Sequence, residues 1–179
     1  SIFFYIFGVN WQSYILHASL INVILAIATF KVLKNFNLNI YFCFFYSICF
    51  SILAYPTSGT PFADHHSAFF SLLGIYFLIL GIKSDLKIYW FFFPIFLGMA
   101  FFSKQVPSAY IIILTSVILI FYSILNKEFN WIKYSFFSSI LFILTLLLVG
   151  KIQGINFNFF MDQYIFYPRT LGAERYQDI

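Results

Sequence analysis

The feature that most constrains this chain is a series of long apolar stretches separated by short polar ones. A helix rises about 1.5 Å per residue, so about 20 apolar residues are needed to cross a hydrocarbon layer about 30 Å thick. The stretches are continuous rather than alternating, which disfavours an outer-membrane barrel. We therefore predict an all-α fold, a polytopic transmembrane helical bundle of about six spans. The spans are expected at about residues 14–33, 40–55, 67–82, 88–102, 107–125 and 132–149.

Composition narrows the class further. Of the 179 residues, 62% are hydrophobic, 25% are aromatic and only 9% are charged, whereas about a quarter of the residues in soluble domains are charged. The net charge is +4, but the ten Lys and Arg residues stand singly between apolar stretches and form no basic patch. A nucleic-acid partner is therefore not expected. Cys43 and Cys49 lie inside one apolar stretch and are interpreted as buried thiols.

The distribution of basic residues predicts an orientation in the membrane. Six of the ten lie in or beside the loops at 34–39, 83–87 and 126–133, which the positive-inside rule places in the cytoplasm. The polar segments at 56–66, 103–107 and 150–179 are then external. The expected location is a bacterial inner membrane, with membrane lipids around a multi-pass protein.

The distribution of apolar and polar stretches divides the chain into two regions. Residues 1–150 are interpreted as a transmembrane helical region that is incomplete at its N-terminus, because the chain starts with Ser1 rather than Met. Residues 151–179 are too polar to span and are interpreted as an external loop, truncated at its C-terminus.

Polar residues that could carry chemistry collect on the predicted external face. Asp64 opens the third apolar stretch and Lys104 closes the fourth, so both are expected at one membrane depth on neighbouring helices. A carboxylate beside an ammonium suits a substrate whose phosphate lies at the level of the lipid headgroups. Asp64 is the candidate catalytic residue. The candidate substrate-binding residues are Lys104, Gln105, His65, His66, Arg169 and Arg175.

Simpler interpretations of these residues stay open. Asp64 can act only as a helix cap, favoured by the dipole at a helix N-terminus. Lys104 can extend its charge to the interface while its stem lies in lipid. Arg169 and Arg175 can be ordinary loop charges paired with nearby acids.

A metal site is less favoured by the spacing. His65 and His66 are adjacent, so on a helix their side chains point about 100° apart. They therefore cannot easily coordinate one ion together with Asp64. We expect no cofactor and no metal ligands, with a divalent metal as an open alternative.

Two short motifs resemble those of a known superfamily. Residues 62–70, FADHHSAFF, resemble the acidic residue that opens a helix after the second external loop in the GT-C superfamily of integral-membrane glycosyltransferases. Residues 97–105, LGMAFFSKQ, resemble the Gly-x-Ala-x-x-x-Lys helix end of the same enzymes. The resemblance covers roughly residues 7–150. It is strongest to the dolichyl-phosphate-mannose protein mannosyltransferase-like and aminoarabinose-transferase-like members.

The resemblance implies a polyprenyl-phosphate-dependent glycosyltransferase of the cell envelope. Such an enzyme moves a sugar from a lipid-linked donor to a lipid, glycan or protein acceptor on the periplasmic or lumenal side. In that reading Lys104 pairs with the donor phosphate, and Asp64 orients the acceptor, binds a metal or serves as an auxiliary base. Arg169 and Arg175 make secondary contacts with phosphate or sugar.

The chain departs from the family in one respect. The family places its general base in the first external loop, but here no acidic residue precedes Asp64, so the principal base is expected outside this sequence. Two other functions stay open: a transporter or flippase for a lipid-linked or anionic substrate, and a structural subunit. The transferase is favoured because polar residues lie at span ends rather than at mid-membrane.

Overall fold

The computed structural model describes residues 2–54, 63–84, 86–167 and 170. These residues are 90% helical and include no strand, which confirms the predicted all-α fold. The helices are α1 (Ile2–Phe7), α2 (Trp11–Asn35), α3 (Ile40–Ala54), α4 (Ala63–Ser84), α5 (Lys87–Ser103), α6 (Gln105–Asn126), α7 (Asn130–Ile152) and α8 (Phe157–Met161), which continues into a π-helical turn (Asp162–Phe166).

The prediction of six membrane spans is wrong in its count. Four helices, α2, α4, α6 and α7, are long and apolar enough to cross a membrane, with 22 to 25 residues each. The other two apolar helices have 15 residues in α3 and 17 in α5. At 1.5 Å per residue they measure about 22 and 26 Å, short of the roughly 30 Å of hydrocarbon. Among the described residues the structure therefore supports a membrane protein with four helices of crossing length.

Helix α4 lies at the centre of the packing, against α2, α5 and α6. One of its buried faces repeats at alternating intervals of four and three residues, the spacing that keeps side chains on one side of a helix. That face consists of Ser67, Ser71, Gly74, Leu78 and Gly81. Two apolar clusters form around α4. The first joins it to α2 through Ile21, Leu25, Phe69 and Leu73, and the second joins it to α5 and α6 through Leu78, Trp90, Phe93, Leu97 and Leu119.

Two glycines let α4 and α5 approach closely. A Cβ atom added to Gly74 would lie 2.7 Å from Cδ2 of Leu97, and one added to Gly81 would lie 3.0 Å from the ring of Trp90. Both positions therefore place α5 side chains directly on the α4 backbone, the kind of contact that small residues allow between membrane helices.

The start of α2 is fixed by its own sequence. Asn10 and Ser13 form a capping box, in which each side-chain oxygen accepts a hydrogen bond from the other residue's backbone N–H. Gly8 adopts a positive φ of 75° just before this cap, a conformation that costs glycine little. This turn lays α1 back on α2, so that Phe3 and Phe4 contact His17.

The three loops predicted to be cytoplasmic, at 34–39, 83–87 and 126–133, lie at one end of the helices. The Lys83 ammonium, at the end of α4, lies 4.5 Å from the ring centre of Phe36 after α2. Lys87, at the start of α5, lies 5.6 Å from the ring centre of Tyr134 in α7. Asp64 and Lys104 are at the opposite ends of α4 and α5. The cytoplasmic location of the basic end stays a prediction.

Chain contacts divide the molecule into two units, residues 1–139 and 140–179. The second unit holds the end of α7, α8 and the π-helical turn. Asn156 caps α8 by accepting a hydrogen bond from the backbone N–H of Asn158, and Phe160 stacks on Tyr164 at 4.9 Å between ring centres. The region predicted as an external loop is therefore helical from Phe157 to Phe166.

Candidate functional site

The site begins with two charged side chains on neighbouring elements. Asp64 is in the first turn of α4, where the positive end of the helix dipole favours a carboxylate. Lys104 lies between α5 and α6 in an extended conformation, with φ −157° and ψ 126°. Its backbone N–H donates a hydrogen bond to the Ala100 carbonyl at 3.0 Å, and this bond closes the last turn of α5. The chain therefore turns at Lys104 while its side chain reaches towards α4.

Asp64 and Lys104 form an ion pair, which confirms the prediction that these two side chains are neighbours. Both stay accessible, since 60% of the Asp64 side chain and 47% of the Lys104 side chain are exposed. Exposed ion pairs contribute only about 0–1 kcal/mol. A ligand with a stronger negative charge can therefore displace the carboxylate from the ammonium at little cost.

Beneath the ion pair, Ser67 holds the backbone of the same junction. Its hydroxyl donates to the Lys104 carbonyl at 3.4 Å and is hydrogen-bonded to the Ser108 hydroxyl of α6. Both serines are buried. Ser67 lies three residues after Asp64 and so on the same side of α4. The sequence interpretation missed this pair, and the only local sign of it was that spacing.

His66 turns away from the ion pair towards α2. Its Nε2 lies 3.3 Å from Nε2 of His17, a residue 49 positions earlier that sequence reasoning missed. His17 lies on the buried face of α2, which recurs every four residues at Ser13, His17, Ile21 and Leu25. This recurrence was the available signal for a histidine turned inwards.

The other predicted site residues have mixed outcomes. His65 follows Asp64 in the first turn of α4, and Gln105 begins α6 directly after Lys104, so both lie beside the ion pair in sequence. Their contact with a substrate stays a prediction. Arg169 and Arg175 lie outside the described residues. Within the described ranges, no three His, Cys, Asp or Glu side chains are grouped as metal ligands.

No family model, curated protein or solved structure matches the chain.

Proposed function

We propose that the face carrying Asp64 and Lys104 binds the phosphate of a polyprenyl-phosphate sugar, and that the protein is a membrane glycosyltransferase acting on that donor. The observation that carries the proposal is the exposed ion pair between the first turn of α4 and the residue that precedes α6, two helices that are long and apolar enough to cross a membrane. A lipid-linked donor presents its phosphate at the headgroup level while its polyprenyl chain stays in hydrocarbon. Ionisable groups at this boundary are frequently functional.

Donor binding would exchange the partner of Lys104. An ammonium has three donors, so it can bond a phosphate oxygen while it leaves the carboxylate. Hydrogen bonds between charged groups are roughly twice as strong as neutral ones, which favours phosphate over a weak exposed ion pair. Asp64 is then released to accept a hydrogen bond from the acceptor hydroxyl and orient it.

The reaction assigns each group a distinct role. The acceptor oxygen bonds to the anomeric carbon of the sugar as the bond to the donor phosphate breaks, and the carrier phosphate leaves with the electron pair. Lys104 stabilises the negative charge that grows on that phosphate. The acceptor proton passes to a general base, a role that this proposal assigns to no residue of the described chain. His65, His66, Gln105, Arg169 and Arg175 are proposed secondary contacts to sugar or phosphate.

The buried Ser67 contact supports this arrangement. Because Ser67 and Ser108 fix the backbone of the α5–α6 junction, the Lys104 side chain can change partners without moving its Cα atom. A pre-organised cation loses less conformational entropy on binding an anion than a lysine on a mobile loop does.

Transfer assays on Lys104 variants of the full-length protein test the proposal. Lys104→Ala removes a charge-assisted contact of about 1.5–3 kcal/mol, so transfer at sub-saturating donor should fall about 10- to 100-fold. Lys104→Arg should keep part of the activity, because the charge is retained but the planar guanidinium presents its donors differently.

Lys87→Ala is the matched control, because Lys87 is at the opposite end of the same helix. It should leave transfer unchanged. If Lys104 only places its charge at the interface, Ala leaves turnover nearly intact and Arg is fully tolerated. An unchanged transfer rate for Lys104→Ala, normalised to folded protein in the membrane, contradicts the proposal.

One observation favours a second function, a transporter or flippase. Polar atoms of Asn22 and Ser71 are buried within crossing-length helices and have no hydrogen-bond partner among the described residues. Transporters place polar groups near mid-membrane. Proteoliposomes that move a lipid-linked sugar between leaflets without transferring it would favour this second function.

A further inference from the structure

The ends of α2 and α4 that lie away from the ion pair form a second polar surface. The two helices run parallel, since His17 lies beside His66 near their starts and Thr29 is hydrogen-bonded to Tyr76 further along. Their last turns therefore lie on the same side of the molecule. We call this surface the α2–α4 lysine end, and it consists of Lys31, Lys34, Phe36 and Lys83.

The positive charge of the α2–α4 lysine end is not neutralised by the chain around it. No acidic residue precedes Asp64, which is at the opposite end of α4. The acid nearest to these lysines in sequence is Asp85, which lies outside the described residues. Lys31, Lys34 and Lys83 are all exposed, and no ion pair with a described carboxylate involves any of them. An excess of positive charge therefore stays accessible at this end.

One aromatic ring brings two of these lysines within reach of a common anion. The Lys83 ammonium lies 4.5 Å from the ring centre of Phe36, a distance at which the ring attracts a cation. Lys34 is two residues before Phe36, so their Cα atoms are at most about 7 Å apart. An ammonium has three donors, and the ring covers only one side of it. Lys83 is therefore already positioned to donate to an anion beside Phe36, which lowers the entropy lost on binding.

The surroundings of the lysines fit an amphiphile better than a soluble anion. The turn after α2 and the start of α3 expose large apolar side chains, with 50% of Phe36, 47% of Leu38 and 81% of Tyr41 accessible. Helices α2 and α4 are long and apolar enough to cross a membrane, so the ammonium groups at their ends fall at the level of the lipid headgroups. A phospholipid matches both features, because its phosphate meets the lysines while its acyl chains cover the apolar side chains.

We propose that the α2–α4 lysine end binds the phosphate of an anionic phospholipid through Lys34 and Lys83. Basic residues at this level of a membrane protein attract anionic lipids, and each contributes about fivefold in affinity. Lys31 is one turn before Lys34 on the same side of α2 and adds positive potential. The inference rests on the crossing-length helices and stands independently of the proposed glycosyltransferase activity.

Native mass spectrometry of the full-length protein tests this site, because it counts the lipids bound to each chain. The protein is kept in a neutral detergent and titrated with phosphatidylglycerol, or with phosphatidylcholine that has the same acyl chains. Two lysine contacts predict that the first phosphatidylglycerol binds about 25-fold more tightly than the first phosphatidylcholine. Equal affinity for the two lipids would overturn the proposal, and this comparison requires no variant.

Substitutions then locate the lipid. Lys34→Gln and Lys83→Gln should each lower the affinity for phosphatidylglycerol about fivefold, and the double variant should bind both lipids about equally. Lys83→Arg should keep most of the affinity, because the charge is retained. The matched control is Lys87→Gln, since Lys87 is also exposed and lies 5.6 Å from a ring centre, but that ring is Tyr134 of α7. This control should leave the affinity nearly unchanged.

Two further results would contradict a lipid site at Lys34 and Lys83. Equal losses of affinity in Lys83→Gln and Lys87→Gln would show that diffuse positive charge attracts the lipid. Displacement of bound phosphatidylglycerol by inorganic phosphate, at constant ionic strength, would show that the surface takes a soluble anion instead.

Discussion

Gly81 is the position at which one added methyl group tests the packing of α4 on α5. A Cβ atom there would lie 3.0, 3.0 and 3.1 Å from three atoms of the fused ring of Trp90. The indole cannot move aside easily, because only 2% of Trp90 is exposed and its ring centre lies 6.0 Å from that of Trp131. Ser135 also donates a hydrogen bond to the Trp90 carbonyl at 3.0 Å.

Two opposing effects set the magnitude for Gly81→Ala. Replacing Gly by Ala inside a helix stabilises it by about 1 kcal/mol. Overpacking a tight contact costs about 1–3 kcal/mol. The variant should therefore lose up to about 2 kcal/mol of stability, the difference between these two terms.

Gly150 supplies the control, because it is also helical but a Cβ atom there meets nothing within 4 Å. Gly150→Ala should stabilise the protein by up to about 1 kcal/mol through helix propensity alone. The two variants should thus differ by about 1–3 kcal/mol, which is the overpacking effect itself.

Equilibrium unfolding in mixed detergent micelles, followed by tryptophan fluorescence, measures both free energies. Equal stability of the Gly81 and Gly150 variants, within about 0.5 kcal/mol, would refute the close approach of α4 and α5, because a methyl group against a rigid indole cannot be neutral.

Two further predictions concern α4. The hydroxyls of Thr29 and Tyr76 are hydrogen-bonded at 3.0 Å between α2 and α4. A double-mutant cycle with Thr29→Val and Tyr76→Phe should therefore give a coupling energy of about 0.6 kcal/mol, the average for hydrogen bonds between membrane helices. Strictly additive losses of stability in the two single variants would contradict this hydrogen bond. Cysteines introduced at Ala63 and Ser84, in a background without native cysteines, mark the two ends of α4. They should react with an impermeant thiol reagent from opposite sides of the membrane, with Ser84 on the cytoplasmic side, and labelling from one side would show that α4 does not cross.

Helix positions were largely predictable from sequence. The span expected at 88–102 is the helix Lys87–Ser103, and the span expected at 132–149 is Asn130–Ile152. Apolar stretches bounded by polar or turn-forming residues carry this information locally. The number of spans was overestimated for another reason: the apolar stretches at 40–55 and 88–102 were counted as spans although each is shorter than the about 20 residues that a crossing needs.

The site was predictable only where chain connectivity constrains it. Asp64 and Lys104 are held together by a short α4–α5 hairpin, which places the far ends of both helices side by side. The Ser67–Ser108 and His17–His66 pairs join residues 41 and 49 positions apart. Those contacts depend on which faces of α2, α4 and α6 meet. No local pattern specifies that choice.

Binding of a polyprenyl monophosphate to the purified full-length protein tests the central claim most directly, because it requires no acceptor and no catalytic base. Lys104→Ala should weaken binding about 10- to 100-fold, the equivalent of a lost charge-assisted contact. Lys87→Ala should leave it unchanged. Asp64→Asn should tighten binding up to about fivefold, because Lys104 then no longer has to leave an ion pair worth about 0–1 kcal/mol. Equal affinity of wild type and Lys104→Ala for the lipid phosphate, within about twofold, would contradict the account, since a lost contact of this kind cannot have so small an effect.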